Sequence, residues 1–146
     1  MIMIIMEVGM KKEKSCGAVI YKYFNNELYI LVLKHNKGHW SFSKGHMEDY
    51  ESEEETALRE VKEETNLDII LNTNYRYCIS YSPREGVIKD VVFFLGKPKN
   101  DEIKAQITEI MDIRWLKYQE AYDILTYNGD KEILNKAIKD IKSLSN

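Results

Sequence analysis

Runs of apolar and β-branched residues alternate with polar loops along the first third of the chain. Residues 16–23 form one such run, and residues 28–34 form a second that is apolar almost throughout. Runs of this kind are typical of β-strands, and a nearly continuous apolar run is typical of a central strand. Because Asn25 and Asn26 provide a turn signal between them, the pattern predicts a β-hairpin. A polar loop is expected to follow over residues 36–45.

The pattern changes to helical spacing in two later parts of the chain. Residues 53–65 are strong helix formers, and Ser52 with Glu55 three positions later has the pattern of a capping box. Asn66 tolerates the left-handed backbone at a helix end better than most residues. In residues 129–144 the apolar side chains again repeat at helical spacing, which predicts a C-terminal helix.

The remaining segments complete an α/β pattern. Strands on both sides of an acidic helix, followed by helices, predict a mixed sheet packed between helices. No repeat, low-complexity tract or linker divides the chain, so we expect a single domain over residues 10–146 and a dispensable extension over residues 1–9. The expected strands are residues 69–71, 75–81, 87–96 and 112–116, and residues 118–125 are expected to form a short helix.

Composition limits the kinds of function. The 146 residues are 44% hydrophobic and 31% charged, as expected for one globular domain. A net charge of -3 provides no broad basic surface, so a nucleic-acid partner is not expected. No apolar stretch is long enough to cross a membrane. Cys16 and Cys78 are far apart and in no metal or redox spacing, which favours a reducing, cytoplasmic environment. The oligomeric state stays open.

Three glutamates of the acidic helix are candidates for binding a metal ion. Residues three and four apart share one helix face, so Glu60, Glu63 and Glu64 are expected to converge. Close carboxylates repel one another unless a hard cation lies between them, and oxygen ligands suit magnesium, manganese or calcium rather than zinc. Arg59 is expected to orient Glu51 through a bidentate ion pair. The alternative is an acidic helix face exposed to solvent.

The spacing of residues 45–67 gives this cluster a wider context. A glycine, five residues, a glutamate, seven residues and then Arg-Glu-Val-Lys-Glu-Glu resembles the signature of the Nudix family. Asn66 departs from that signature, because the family has glycine there. The matching positions are Gly45, Glu51, Arg59, Glu60, Val61, Glu63, Glu64 and Leu67.

The resemblance implies a fold, a reaction and a set of roles. The fold is an α/β/α sandwich with a mixed sheet, and the reaction is hydrolysis of a phosphoanhydride in a nucleoside diphosphate linked to another group. The implied cofactor is Mg²⁺ or Mn²⁺. The implied metal ligands are Gly45, Glu60, Glu63, Glu64 and Glu109. The implied catalytic residues are Glu51, Arg59, Glu63 and Glu109.

Within the family, the chain resembles the asymmetrical diadenosine tetraphosphate hydrolases, which implies cleavage of that substrate to ATP and AMP. The alternatives are another Nudix pyrophosphohydrolase, acting on a nucleoside triphosphate, a sugar nucleotide or the 5′ end of RNA, and an inactive Nudix ligand sensor. Two departures bear on substrate preference, since Ser43 replaces a proline and Phe93 a tyrosine. The similarity is carried by residues 15–20, 38–46, 56–60, 89–95, 109 and 114–116.

Substrate contacts are expected from cationic and aromatic side chains. Lysine can act as a mobile point charge against phosphate, and adenine stacks on aromatic rings. The candidate phosphate contacts are Lys44, His46 and Lys89, and the candidate stacking residues are Tyr77, Tyr81 and Tyr122. The alternative for each is an ordinary surface or sheet residue.

Overall fold

The structure, a computed structural model, describes residues 10–106 and 108–144, and the expected extension over residues 1–9 lies outside them. None of the helices in these ranges is long and apolar enough to span a membrane. The elements, in chain order, are β1 (Lys11–Phe24), β2 (Glu27–His35), β3 (Trp40–Ser41), β4 (Ser43–His46), α1 (Glu53–Thr65), β5 (Ile69–Tyr81), β6 (Val87–Pro98), β7 (Ile110–Leu116), α2 (Tyr118–Ile124) and α3 (Asn128–Leu144).

Strand β1 is central to the sheet. It pairs antiparallel with β2 over residues 21–24, antiparallel with β4 over residues 15–18, and parallel with β6 over residues 11–20. The strand order is β3-β2-β1-β6-β5, with β7 paired to β2 and β4 paired to β1. The pairings of β2 with β3 and β7, and of β5 with β6, are antiparallel. The expected hairpin and the expected mixed sheet are therefore confirmed.

Alternate side chains of the central strands supply two separate cores. Val19 and Ile30 belong to the core that α3 covers. Ala18 and Leu31 lie on the other face, where they pack with Val61 of α1. Because successive side chains of a strand point to opposite faces, both faces of the sheet are apolar and both carry helices. The result is the expected α/β/α sandwich.

Helix α1 begins and ends as its sequence predicts. The Ser52 hydroxyl accepts a hydrogen bond from the Glu55 amide at 3.1 Å, and the Glu55 carboxylate accepts one from the Ser52 amide at 3.0 Å. At the other end Asn66 has φ 67°, a left-handed conformation, and its amide donates to the Lys62 carbonyl. The capping box and the asparagine helix end are thus confirmed.

The expected loop over residues 36–45 is only partly a loop. Residues from 40 onward form β3 and β4, which pair with β2 and β1. Phe42, between these two strands, is fully buried and meets Phe93 edge to face with ring centroids 5.3 Å apart. Because the Phe42 ring is buried, the polar residues on either side of it also become part of the sheet.

Strand β5 is continuous, although two shorter strands were expected within residues 69–81. Its register against β6 shifts between Asn72 and Arg76, where three extra residues form a bulge. Strand β1 is also longer than expected and begins at Lys11, because β6 provides a parallel partner along that whole stretch. Both differences arise from pairing with strands that are distant in sequence.

An ion-pair cluster attaches the first turn of α1 to the sheet. The Glu53 carboxylate accepts from Lys14 Nζ at 2.7 Å and from Arg76 Nε and Nη2 at 2.8 Å each. The hydrogen bond from Arg76 is the largest cause that lowers the pKa of Glu53 to about 2, and the bond from Lys14 adds to it. One carboxylate thus links α1 to both β1 and β5.

Glu53→Gln is expected to lower the free energy of unfolding by about 1–2 kcal/mol at neutral pH, because it removes a charge-assisted, partly buried cluster. A carboxyl group whose pKa is lowered by folding stabilises the fold above its ordinary pKa, near 4.5, and loses that contribution as pH falls. The difference between wild type and variant should therefore shrink between pH 5 and about pH 2. Urea unfolding across that range measures it. Glu54→Gln, at an exposed position of the same turn, is the control, and an equal loss in both variants would contradict the assignment.

Candidate active site

Strand β4 lies between two groups of charged side chains. Ser43 and Gly45 pair with Ala18 and Cys16, whose side chains face α1. Lys44 pairs with Gly17, on the opposite face of β1. The period of two along β4 therefore directs neutral residues towards the glutamates of α1 and directs basic residues away from them.

Glu64 is the most buried carboxylate of the site, with 3% of its surface exposed. Its Oε1 accepts hydrogen bonds from Ser43 Oγ at 2.7 Å and from the Lys44 amide at 3.0 Å. Burial raises the pKa of Glu64 to about 7, against the opposing effect of the bond from Ser43. A buried carboxylate with this environment is stabilised in its charged form by a nearby cation.

Glu60 lies directly against the backbone of Gly45. A Cβ atom at position 45 would collide with the carboxylate carbon and both carboxylate oxygens of Glu60. Because these atoms are the end of a flexible side chain, a larger residue at position 45 would displace the Glu60 carboxylate from its contact with Arg59. Burial is the main cause of the raised pKa of Glu60, and the charges of Glu63 and Glu109 add to it.

Arg59 contacts most of the acidic groups around it. It forms the expected bidentate pair with Glu51, with Nε to Oε2 at 2.6 Å and Nη2 to Oε1 at 2.9 Å. Its Nη1 donates to Glu60 at 2.9 Å and to Glu63 at 3.2 Å. Its Nη2 also donates to the backbone carbonyl of His46 at 2.9 Å. One guanidinium thus joins the end of β4 to two turns of α1.

Glu51 is fully engaged by protein donors. Besides Arg59, its Oε1 accepts from the Glu48 amide and from Thr56 Oγ1, each at 3.0 Å. The bond from Arg59 is the largest cause that lowers the pKa of Glu51 to about 2. This arrangement supports a positioning role for Glu51 through Arg59.

Glu63 and Glu109 are the exposed acidic residues of the site. The Glu63 side chain is 48% exposed and contacts Arg59. Glu109 lies on a turn before β7, where its carbonyl accepts from the Asn36 amide at 2.7 Å. Its charge acts on Glu60 across the space between the turn and α1. The charges of these glutamates therefore act on one another, although they come from two separate parts of the chain. The four residues are Glu60, Glu63, Glu64 and Glu109.

The described residues do not hold three His, Cys, Asp or Glu side chains close enough together to form a ready-made metal site. The donor set nevertheless fits a hard cation, because it consists of carboxylates, of which two are buried or half-buried. Within residues 10–106 and 108–144, no hydrogen bond reaches Glu64 Oε2, which makes it available to a ligand.

The basic side of the site contains Lys44 and Lys89. Lys89 of β6 pairs with Glu13 of β1 and with Tyr81 of β5, on the same face as Lys44. Burial and then the charge of Lys44 lower the pKa of Lys89. The two lysines thus lie on one face of the sheet, on either side of β1, where the charge of one acts on the other. His46 is exposed at the end of β4, and its charge acts on Glu13.

The three candidate stacking tyrosines have different surroundings. Tyr81 is 46% exposed beside Lys89. Tyr77 is only 8% exposed within the core, and its hydroxyl donates to Asp140 at 2.6 Å. The expectation for Tyr77 is therefore corrected, since its ring has no face open to a base. Tyr122 is partly buried, with Lys131 Nζ 4.9 Å from its ring centre.

One aromatic residue at this face was not anticipated. Tyr127, in the connection between α2 and α3, is 56% exposed, and its hydroxyl is close enough to influence the pKa of Tyr81. Its ring lies 5.7 Å from that of His39, which is stacked at 4.5 Å on His35. No periodic pattern includes Tyr127, so only its residue type could have pointed to it.

The class of protein that the structure defines is an α/β/α sandwich with carboxylates on one side of β4 and lysines on the other. Comparison with known proteins identifies the family. The chain matches the NUDIX domain over residues 14–137, and it therefore belongs to the Nudix family.

Particular relatives are similar over nearly the whole chain. The bis(5′-nucleosyl)-tetraphosphatase [asymmetrical] of Sus scrofa is 28% identical over 144 residues, covering 90% of this chain and 97% of the relative. A crystal structure of a C. elegans Ap4A hydrolase binary complex is 26% identical, with a TM-score of 0.83 and coverage of 90% and 98%. The NUDIX domain of Shewanella oneidensis NrtR, complexed with ADP ribose, is 17% identical with a TM-score of 0.74 and 92% coverage of both chains, and shares the fold.

Gly45→Ala is expected to destabilise the fold by roughly 0.5–1.5 kcal/mol, because the added methyl group displaces the Glu60 carboxylate from its hydrogen bond with Arg59. Glu60→Ala removes the carboxylate that the new methyl group would displace. The double variant, Gly45→Ala with Glu60→Ala, should therefore lose much less free energy of unfolding than the two single losses added together. Urea unfolding of the four proteins measures this coupling. Additive losses would show that Gly45 and Glu60 are not in contact.

Proposed function

We propose that the protein hydrolyses diadenosine tetraphosphate asymmetrically, to ATP and AMP, with Mg²⁺ or Mn²⁺ as cofactor. The observation that carries the proposal is the arrangement around β4, with the α1 glutamates on one side and Lys44 and Lys89 on the other. A phosphate chain that crosses β4 would meet both groups. The extended similarity to asymmetrical bis(5′-nucleosyl)-tetraphosphatases supports this choice of substrate within the family.

The cation would be held by glutamates of α1 together with neighbouring residues of β4 and of the turn before β7. The proposed ligands are the carboxylates of Glu60, Glu63, Glu64 and Glu109 and the carbonyl of Gly45. When bound, the metal lowers the pKa of the attacking water and stabilises negative charge on phosphate oxygens. Glu63 and Glu109 are the exposed carboxylates, and we propose that one of them accepts the proton of the water.

The protein's own cations and aromatic rings would orient the substrate. Lys44 and Lys89 offset phosphate charge, and His46 at the end of the same strand is a further proposed contact. Tyr81 offers an exposed ring to a base beside Lys89. Arg59 would position the carboxylates around it and would not contact substrate. Glu51 holds Arg59 in place. Positioning and charge compensation of this kind dominate phosphoryl transfer.

The two departures that bear on substrate preference, Ser43 and Phe93, leave the proposed contacts intact. Phe93 is fully buried against Phe42, so its ring is part of the core. Ser43 faces Glu64 rather than the basic side. Every glutamate of the signature is present, which argues against an inactive ligand sensor. Cys16 and Cys78 are free thiols, consistent with the proposed cytoplasmic location.

The purified protein is expected to convert diadenosine tetraphosphate and Mg²⁺ to equal amounts of ATP and AMP, and to be inactive with EDTA. Ion-exchange chromatography over a time course separates the products. Two molecules of ADP would contradict the asymmetric assignment. If there is no turnover, a panel of nucleoside triphosphates, sugar nucleotides and capped RNA tests the other Nudix activities.

Glu63→Gln and Glu64→Gln are each expected to lower kcat by at least about a hundred-fold, because both remove a proposed ligand charge. Glu54→Gln, which changes an exposed glutamate of the same helix, provides the comparison. Circular dichroism and thermal unfolding establish that the variants are folded. Turnover close to that of wild type in either variant would disprove its assignment as a ligand.

A further inference from the structure

Ser43 makes a buried hydrogen bond that the family pattern does not include. Its side chain is 1% exposed, and its Oγ donates to Glu64 Oε1 at 2.7 Å. The amide of Lys44 donates to the same oxygen at 3.0 Å. The resemblance places a proline where Ser43 stands, and proline has no side-chain donor. The first of these two bonds therefore depends on this substitution.

Both partners of this bond are fixed by neighbouring elements. Gly17 of β1 lies so close to β4 that a Cβ atom there would strike the Ser43 carbonyl and the Lys44 Cα. Strand β4 is therefore packed directly on β1 and cannot move towards it. On the other side, Glu64 belongs to α1. The first turn of that helix is attached to the sheet by Glu53. The bond thus joins two rigid parts of the fold.

The consequence concerns the two oxygens of Glu64. Oε1 accepts two hydrogen bonds, which direct the carboxylate plane, whereas none reaches Oε2 within residues 10–106 and 108–144. Hydrogen bonds to ligating carboxylates orient them and tune metal affinity. Loss of the Ser43 hydroxyl would leave one donor on Oε1 and allow the carboxylate to rotate.

We infer that Ser43 is a positioning residue that holds Oε1 of Glu64 so that Oε2 alone is presented to the divalent cation. The inference rests on the proposed function, because it takes Glu64 as a metal ligand. It adds a residue that contacts neither cation nor substrate and acts only through Glu64.

The test is a Mn²⁺ titration of the full-length protein without substrate, followed by the electron paramagnetic resonance signal of free Mn²⁺. Ser43→Ala is expected to weaken Mn²⁺ binding about ten-fold. Ser41→Ala is a matched control, since Ser41 is equally buried and donates to another buried carboxylate, Asp130, at 2.8 Å. Both variants should lose thermal stability, but Ser41→Ala should bind Mn²⁺ as wild type does.

The outcomes separate this inference from the proposed function. Unchanged Mn²⁺ affinity in Ser43→Ala, together with weakened binding in Glu64→Gln, would overturn the role of Ser43 and leave the metal assignment intact. Unchanged binding in Glu64→Gln would overturn both. Equal weakening in Ser43→Ala and Ser41→Ala would show a general effect of destabilisation and would also overturn the inference. If Ser43→Ala does not fold, Ser43→Cys keeps most of the volume with a much weaker donor and is measured instead.

Discussion

The guanidinium of Arg59 is the interaction on which the rest of the site depends. It pairs with Glu51 through two hydrogen bonds and also reaches Glu60, Glu63 and the backbone carbonyl of His46. Carboxylates gathered on one helix face repel one another, and Arg59 offsets part of that repulsion before any cation binds. Because it spans α1 and the end of β4, it also fixes the distance between them.

Strand β4 connects the glutamates of α1 to the lysines on the opposite face of the sheet. Its alternate residues serve different partners, since Ser43 and Gly45 contact Glu64 and Glu60 while Lys44 lies near Lys89. Four residues of extended backbone thus separate an acidic region from a basic one by the thickness of a single strand.

The sequence predicted what depends on local chemistry and missed what depends on distant pairing. The limits of α1 follow from its capping residues, and the acidic cluster follows from helical spacing. The bulge in β5 depends instead on its partner β6. Tyr77 and Tyr81 show the same limit, because they share one face of β5. Helix α3 covers the first, through Asp140, but not the second, and strand periodicity contains no information on where a later helix ends.

The departures at positions 43 and 66 have a common physical character. At each, the family uses a residue with a special backbone, proline or glycine, and this chain uses a side chain that forms a hydrogen bond. Asn66 keeps the left-handed conformation and donates through Nδ2 to the Glu102 carbonyl at 2.8 Å. Ser43 donates to Glu64 at 2.7 Å. Because these contacts lie on either side of the glutamates and replace backbone constraints with specific bonds, the glutamates can stay in place while the residues that support them change.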